Sequence, residues 1–265
     1  MDNNYLIAAL LGVIEGLTEF LPVSSTGHLI LFVDLLGFKA PPGKTFEVMI
    51  QLGAILALML LYFRKLWTTL IGLPVDPAAR RFALVVLLAF LPAMVLGALL
   101  HGFIKATLFS PTVVASALIG GGIVILFVEQ ISKAERFKSV DEVPPMTGLL
   151  VGMAQCLALI PGMSRSGATI IGGLLLGLER RTAAEFSFFL SIPTMSAAFA
   201  YDLYKNRSEL SFDDAGLISV GFIAAFIAAL LVVKPFLAVV GKIGFAPFAF
   251  YRIALGVFVL VLLWL

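Results

Sequence analysis

Gly12-Val-Ile-Glu-Gly-Leu-Thr-Glu-Phe-Leu-Pro-Val-Ser-Ser-Thr-Gly-His-Leu-Ile30 decides the fold. Two carboxylates, Glu15 and Glu19, stand inside an apolar run. A polar break follows from Pro22 to Gly27, and then His28, one of two histidines in the chain. An ionisable group at membrane depth costs roughly 2.5–3.5 kcal/mol on insertion scales, so its presence there points to a functional site. The surrounding chain is 61% hydrophobic and only 13% charged over 265 residues, with mean hydropathy +1.09. Soluble domains carry about 25% charged residues. The deficit, together with long apolar runs, defines an all-α polytopic membrane protein. A net charge of +2 without a large basic patch excludes a nucleic-acid partner. Cys156 is the single cysteine, which rules out an intramolecular disulfide and a cysteine metal site.

Tyr5–Leu21 and His28–Leu36 each fall short of the ~20 residues that a span needs. Together they read as a re-entrant helical hairpin, a backbone tolerated only where it is buried in protein or lines a cavity. Full spans are expected at Thr45–Phe63, Phe82–Leu100 and Pro111–Gln130, with Leu66–Ala79 a loop carrying Pro74 and Pro77. Gly120-Gly121-Gly122 predicts close helix packing. The opening pattern then returns at Gly152–Ile170, GMAQCLALIPGMSRSGATI, at a constant offset of 140 residues. Gly12 falls on Gly152, Glu15 on Gln155, Ser24 on Ser164, Ser25 on Arg165, Thr26 on Ser166 and Gly27 on Gly167. Three further spans follow, one beginning at Ala183 and the others at Leu217–Val233 and Pro247–Leu265. The chain therefore reads as a single integral-membrane domain, 1–265, of pseudo-repeats 1–140 and 141–265. Each half holds three transmembrane helices and one re-entrant hairpin. Three is odd, so the second half inserts inverted relative to the first, and the site falls at the repeat interface.

The candidate chemistry sits on the two hairpins. Glu15 and Glu19 are one turn apart on one helix face. Close carboxylates repel unless a cation or proton lies between them, so the pair suits a divalent metal or acid/base work. Oxygen ligands favour Mg²⁺ or Ca²⁺ over zinc. The bland alternative is a buried pair satisfied by backbone and arginine. Ser24-Ser25-Thr26-Gly27-His28 opens a helix, whose free N–H groups bind phosphate or carboxylate; the bland alternative is that a serine is only an N-cap. Either Ser25 or His28 could attack phosphorus. Arg165, with Ser164, Ser166 and Thr169 beside it, offers a planar fork for phosphate oxygens; alternatively it only neutralises a glutamate. Glu47 and Gln51 share a face of the first span and Glu185 holds the equivalent place in the second half, with hairpin support as likely a role as binding. Arg252, in the last span, reads as a structural pair or a snorkelling cation.

Glu15-Gly-Leu-Thr-Glu-Phe-Leu-Pro-Val-Ser-Ser-Thr-Gly-His28 and Pro161-Gly-Met-Ser-Arg-Ser-Gly-Ala-Thr169 resemble the two signature regions of the undecaprenyl-diphosphate phosphatase family, also called the bacitracin-resistance proteins. The resemblance extends through Phe46-Glu47, Gln51-Leu-Gly53 and Glu185-Phe-Ser187 and covers essentially the whole chain. It implies a bacterial inner-membrane enzyme that hydrolyses undecaprenyl diphosphate to undecaprenyl phosphate, recycling the lipid carrier of cell-wall synthesis with the aid of a divalent cation. It further implies that Glu15 and Glu19 belong to the metal and acid/base apparatus. Ser25 and His28 are then nucleophile and partner in either order. Arg165, Ser164, Ser166 and Thr169 bind the diphosphate, with Ser24, Thr26 and Gln51 lining the same site. A homodimer is compatible with this reading.

Two rivals remain in view. Inverted repeats with broken helices are also a transporter signature, so a prenyl-lipid transporter or flippase is the alternative. Ser-Thr-Gly-His also resembles the Pro-Ser-Gly-His element of the type-2 phosphatidic-acid phosphatases, but the chain shows no Ser-Arg-x₅-His-x₃-Asp element. Orientation follows from lysine and arginine. With both termini outside, inner loops carry Arg64, Lys65, Arg80, Arg81, Lys133, Arg136, Lys138, Arg180, Arg181, Lys234 and Lys242, against Lys39, Lys44, Lys105, Lys205 and Arg207 outside. The first hairpin then opens to the periplasmic side. A topology reporter fused after Leu265 should be active outside the cytoplasm; cytoplasmic activity would overturn this orientation.

Overall fold

The computed structural model of the chain describes residues 3–38, 41, 45–108, 110–132, 135–205 and 214–264. Lys39, Lys44, Lys133 and Arg207, which enter the charge comparison above, lie outside these residues. The described residues are almost entirely helical. In order they form α1 (Asn3–Thr18), α2 (Ser25–Leu35), α3 (Thr45–Leu61), α4 (Phe63–Gly72), α5 (Pro77–Phe103) and α6 (Pro111–Ile131). Then follow α7 (Pro145–Gln155), α8 (Arg165–Leu175), α9 (Arg180–Lys205), α10 (Ala215–Ile243) and α11 (Ala246–Trp264). Five of these, α5, α6, α9, α10 and α11, are long and apolar enough to cross a membrane, and the bent pair α3–α4 supplies a sixth candidate. The protein is thus a polytopic membrane protein.

The region after the first span departs from the expectation. α3 ends at Leu61, and the chain bends by 73° into α4 rather than entering a loop. The 66–79 segment is therefore helical to Gly72, with only a short turn before Pro77. The cause is amphipathicity. Phe63, Trp67, Leu70 and Ile71 are exposed on one side, while Lys65 reaches away to Asp141 at 2.6 Å. Amphipathic helices of this kind suit a membrane interface. α5 also runs on beyond the expected end, through a π-helical turn at Ile104–Leu108.

The two halves pack into one another. α1 packs on α10 and, reciprocally, α7 packs on α5; α3 also meets α10, and α9 meets α5. α3 pairs with α9, and α6 with α11. Glycines permit the closest crossings. A side chain at Gly12 would collide with the Gly221 carbonyl of α10, and one at Gly152 with the Ala89 carbonyl of α5. These are corresponding positions of the sequence repeat.

Arg252 of α11 is fully buried, and it neither snorkels nor pairs with a carboxylate among the described residues. Its guanidinium donates to backbone carbonyls instead: Nε to Leu118 at 3.0 Å, Nη1 to Pro22 at 3.2 Å, and Nη2 to Ala117, Gly162 and Met163 at 3.1, 3.0 and 2.9 Å. The glycine run of α6 does serve close packing, and the partner is this side chain: a Cβ on Gly121 would collide with its guanidinium, and one on Gly122 with Ile253. Removing the cation orphans carbonyls in both breaks, at ~1–3 kcal/mol for a buried polar group left unmade. Arg252→Leu should therefore destabilise the purified protein by at least ~3 kcal/mol, and Arg252→Lys by less because it keeps charge but loses the fork. Thermal unfolding in detergent checks the order.

Candidate active site

Each break between a short helix pair is built in the same way. Ser24 and Ser164 are the two non-glycine residues with positive φ among the described residues, at 68° and 73°. Each caps the helix that follows it. Ser24 Oγ accepts from the Gly27 N–H at 3.3 Å, and Ser164 Oγ from the Gly167 N–H at 3.1 Å. The caps leave Ser25 and Arg165 as the first residues of α2 and α8. Both therefore sit at a positive helix end.

The two breaks are tied together. Ser166 Oγ donates to the Leu21 carbonyl at 2.7 Å and lies 3.0 Å from Ser164 Oγ. Arg252 reaches Pro22 on one side and Gly162 and Met163 on the other. Thr169 Oγ1 contacts the Arg165 and Ser166 carbonyls and Ser187 Oγ. The result brings residues 140 apart in sequence to one point. Ser25 Oγ donates to Glu19 Oε2 at 2.5 Å, and Arg165 Nη2 meets Glu19 Oε1 at 3.4 Å. Arg165 is held further by a 3.0 Å bond from Nη1 to the Ser187 carbonyl, while its buried Nε–H has no protein partner.

These groups form one end of a cavity of about 570 Å³. Glu19, Ser24, Ser25, Thr26, Gln51, Ser164 and Arg165 line it. The remaining wall is largely apolar, from Phe90, Ala93, Met94, Gly97 and Ala98 of α5, the 158–161 segment, and Met195, Ala197 and Ala198 of α9. A polar end continuing into an apolar trough suits an amphiphile with a small anionic head.

Other expected residues stand behind this surface. Glu15 is completely buried, and neither of its oxygens accepts a hydrogen bond from the protein. Glu47, whose Oε2 is likewise unpartnered, lies within its electrostatic reach. His28 is buried with both ring nitrogens engaged. Nδ1 is 2.8 Å from the Ser24 carbonyl and Nε2 is 2.7 Å from the Tyr251 hydroxyl. A carbonyl only accepts, so Nδ1 carries the proton and Tyr251 donates to the Nε2 lone pair. Ser166 and Thr169 brace the second break rather than line the cavity. Glu185 is apart from the group, beside Tyr62 and Arg181. Tyr251 went unread in the sequence, although a Tyr-Arg pair in an otherwise apolar helix is a legible signal. Gln155 joins the site too: it is buried, lines the cavity, and its Oε1 lies 3.3 Å from the Thr194 hydroxyl.

Fold and site together define a membrane-embedded protein with a carboxylate–hydroxyl–guanidinium centre at the head of an apolar trough. The chain belongs to the family described as bacitracin resistance protein BacA, which matches residues 8–258. It is 56% identical over 265 residues to the undecaprenyl-diphosphatase of Rhizobium meliloti (strain 1021), covering 100% of this chain and 98% of that protein. It is 55% identical to undecaprenyl-diphosphatase 2 of Paramagnetospirillum magneticum, covering 97% and 98%, and 54% identical to the undecaprenyl-diphosphatase of Caulobacter vibrioides (strain NA1000 / CB15N), covering 99% and 98%.

The cap geometry yields a test. Ser164→Ala loses the cap and keeps a side chain at positive φ, so it should cost about 1–2 kcal/mol. Ser164→Gly loses the same cap but relieves the backbone, so it should unfold at a higher temperature than Ser164→Ala.

Proposed function

We propose that this protein hydrolyses undecaprenyl diphosphate to undecaprenyl phosphate and inorganic phosphate in the bacterial inner membrane. That reaction recycles the lipid carrier for cell-wall synthesis and accounts for bacitracin resistance. The observation that carries the reading is the Ser25–Glu19–Arg165 chain at the polar end of an apolar cavity. The names of its relatives supply the substrate.

In this reading the diphosphate lies against Arg165 and the N-termini of α2 and α8, and the prenyl chain follows the α5–α9 wall. Ser25 Oγ attacks the terminal phosphorus and passes its proton to Glu19 Oε2. The bond to the bridging oxygen breaks, and undecaprenyl phosphate leaves with the proton that Glu19 passes to that oxygen, which returns Glu19 to its carboxylate form. Water, deprotonated by Glu19, then attacks the phosphoserine, releases inorganic phosphate and restores the Ser25 hydroxyl. Arg165 and the helix ends stabilise the charge that develops on the phosphoryl oxygens. His28 is assigned a positioning role: its Nε2 lone pair accepts from Tyr251, while its Nδ1–H holds the Ser24 carbonyl just ahead of the nucleophile.

The site is rich in negative charge for a dianionic substrate, since Glu15, Glu19 and Glu47 outnumber Arg165. The unpartnered oxygens of Glu15 and Glu47 and the all-oxygen character of the cluster fit a hard divalent cation, Mg²⁺ or Ca²⁺. Glu15 and Glu19 would hold it. No three His, Cys, Asp or Glu side chains among the described residues converge on one point, which suits an ion that completes its shell with substrate phosphate oxygens. When bound, such an ion neutralises those oxygens.

The proposed membrane arrangement has six transmembrane helices and two re-entrant hairpins, α1–α2 and α7–α8, in inverted repeats 1–140 and 141–265, with the site open to the periplasmic side. It is supported by the paired serine caps and the reciprocal packing of the halves.

Phosphate release from prenyl diphosphates by purified protein in detergent tests the function, because no membrane is there to be crossed. Turnover should vanish with chelator and return with added divalent cation. Ser25→Ala and Arg165→Ala should each lower it by about 10²–10³-fold or more. Mass spectrometry of rapidly quenched enzyme should find the phosphoryl group on Ser25. A label on His28 would reverse the assignment of nucleophile, and intact protein that releases no phosphate would favour a transporter.

A further inference from the structure

A second cavity, of about 350 Å³, lies away from the site described above. Val233, Lys234, Leu237 and Ala238 form its α10 wall, and Leu61 and Tyr62 line it where α3 ends. Arg181 and Glu185 come from the first turns of α9.

Lys234 and Arg181 bring two cations to the cavity. Neither makes an ion pair among the described residues, and both are exposed. Glu185 is the opposing carboxylate, and it lines the cavity together with Tyr62. Leu61, Val233, Leu237 and Ala238 give the cavity an apolar floor. Two free cations over an apolar floor between membrane helices match the chemistry of an anionic headgroup with its first methylenes; basic pockets between spans bind such lipids.

We propose that this second cavity is a binding site for a lipid-borne phosphate. The headgroup phosphate lies between Arg181 and Lys234, and the chain leaves over Leu237 and Ala238. Nothing in this proposal depends on the hydrolytic chemistry of the main site. The phosphate could be carried by a glycerophospholipid or by a prenyl monophosphate.

Native mass spectrometry of the full chain in a non-ionic detergent separates the outcomes. The protein is titrated with phosphatidylglycerol, with a C15 prenyl monophosphate and with zwitterionic phosphatidylcholine, and the same titrations are run on R181A/K234A. Binding of at least one phosphate lipid should weaken roughly tenfold or more in that variant. It should be unchanged in R136Q/K242Q, which loses equal charge elsewhere, and kept in R181K/K234R. Glu185→Gln, which removes the opposing carboxylate, should tighten it. Phosphate release from prenyl diphosphate should be unaltered in R181A/K234A, which also reports that the variant is folded. Loss confined to phosphatidylglycerol identifies a bulk lipid as the occupant, and loss confined to the prenyl phosphate identifies a substrate-related lipid. Binding that does not distinguish phosphatidylglycerol or prenyl phosphate from phosphatidylcholine, or that is equal in wild type and R181A/K234A, overturns the proposal. If R181A/K234A does not fold, absence of any tightening in Glu185→Gln overturns it.

Discussion

A single buried cation holds the two breaks against each other. Arg252 has no carboxylate among the described residues and is solvated by carbonyl oxygens from three places: the middle of α6, the first break and the second break. Those break carbonyls are the ones that irregular backbone leaves without helical partners. In lipid they would be costly. The guanidinium satisfies them and at the same time fixes the separation of the α2 and α8 N-termini. Everything at the site depends on that separation, because Ser25 starts one helix, Arg165 starts the other, and Glu19 touches both. The glycines of α6 belong to the same device, since they make the room in which the guanidinium sits.

Much of this was legible in the sequence because membranes restrict what a chain can do. Carboxylates in an apolar run, hydroxyls at a break and a second copy of the pattern are hard to explain without a site. The offset of 140 even located the paired caps, Ser24 and Ser164. What the sequence could not supply was anything that depends on the partner across the interface. Arg252 reads in the sequence as a structural pair or a snorkelling cation because its acceptors are main-chain carbonyls, which every residue has. Tyr251 matters only because α11 passes beside His28. The bend at Tyr62 was hidden because Leu66–Ala79 was read by its prolines rather than by its helical period. The separation of Glu15 from Glu19 was hidden too. They share a helix face, yet Glu19 lines the cavity while Glu15 is fully buried.

The division of labour between the halves is chemical. α2 begins with a hydroxyl and α8 with a guanidinium, at equivalent positions. For the proposed hydrolysis, a symmetric pair of serines would lack a charge to hold phosphate, and a symmetric pair of arginines would lack an attacking group. The same divergence appears at Glu15 and Gln155, where one half retains a charge and the other an uncharged amide. A duplicated scaffold therefore supplies the geometry, and exchange at single positions supplies the asymmetry that a directional reaction needs.

The apolar wall of the main cavity is made largely of what is missing from it. Ala93, Gly97, Ala98, Ala158, Ala197 and Ala198 leave the trough open because they have little or no side chain. At these positions no rotamer can swing across to shut it, and side-chain adjustment is left to Phe90, Met94 and Met195. Large residues at these positions would make the pocket adjustable, filling or emptying on the picosecond-to-nanosecond scale of side-chain motion. With alanine and glycine, closure demands that α5 or α9 move as a body, on the slower scale of helix shifts. Between those larger side chains the trough is therefore a standing feature of the resting protein, open along its alanine and glycine stretches to a long flexible chain.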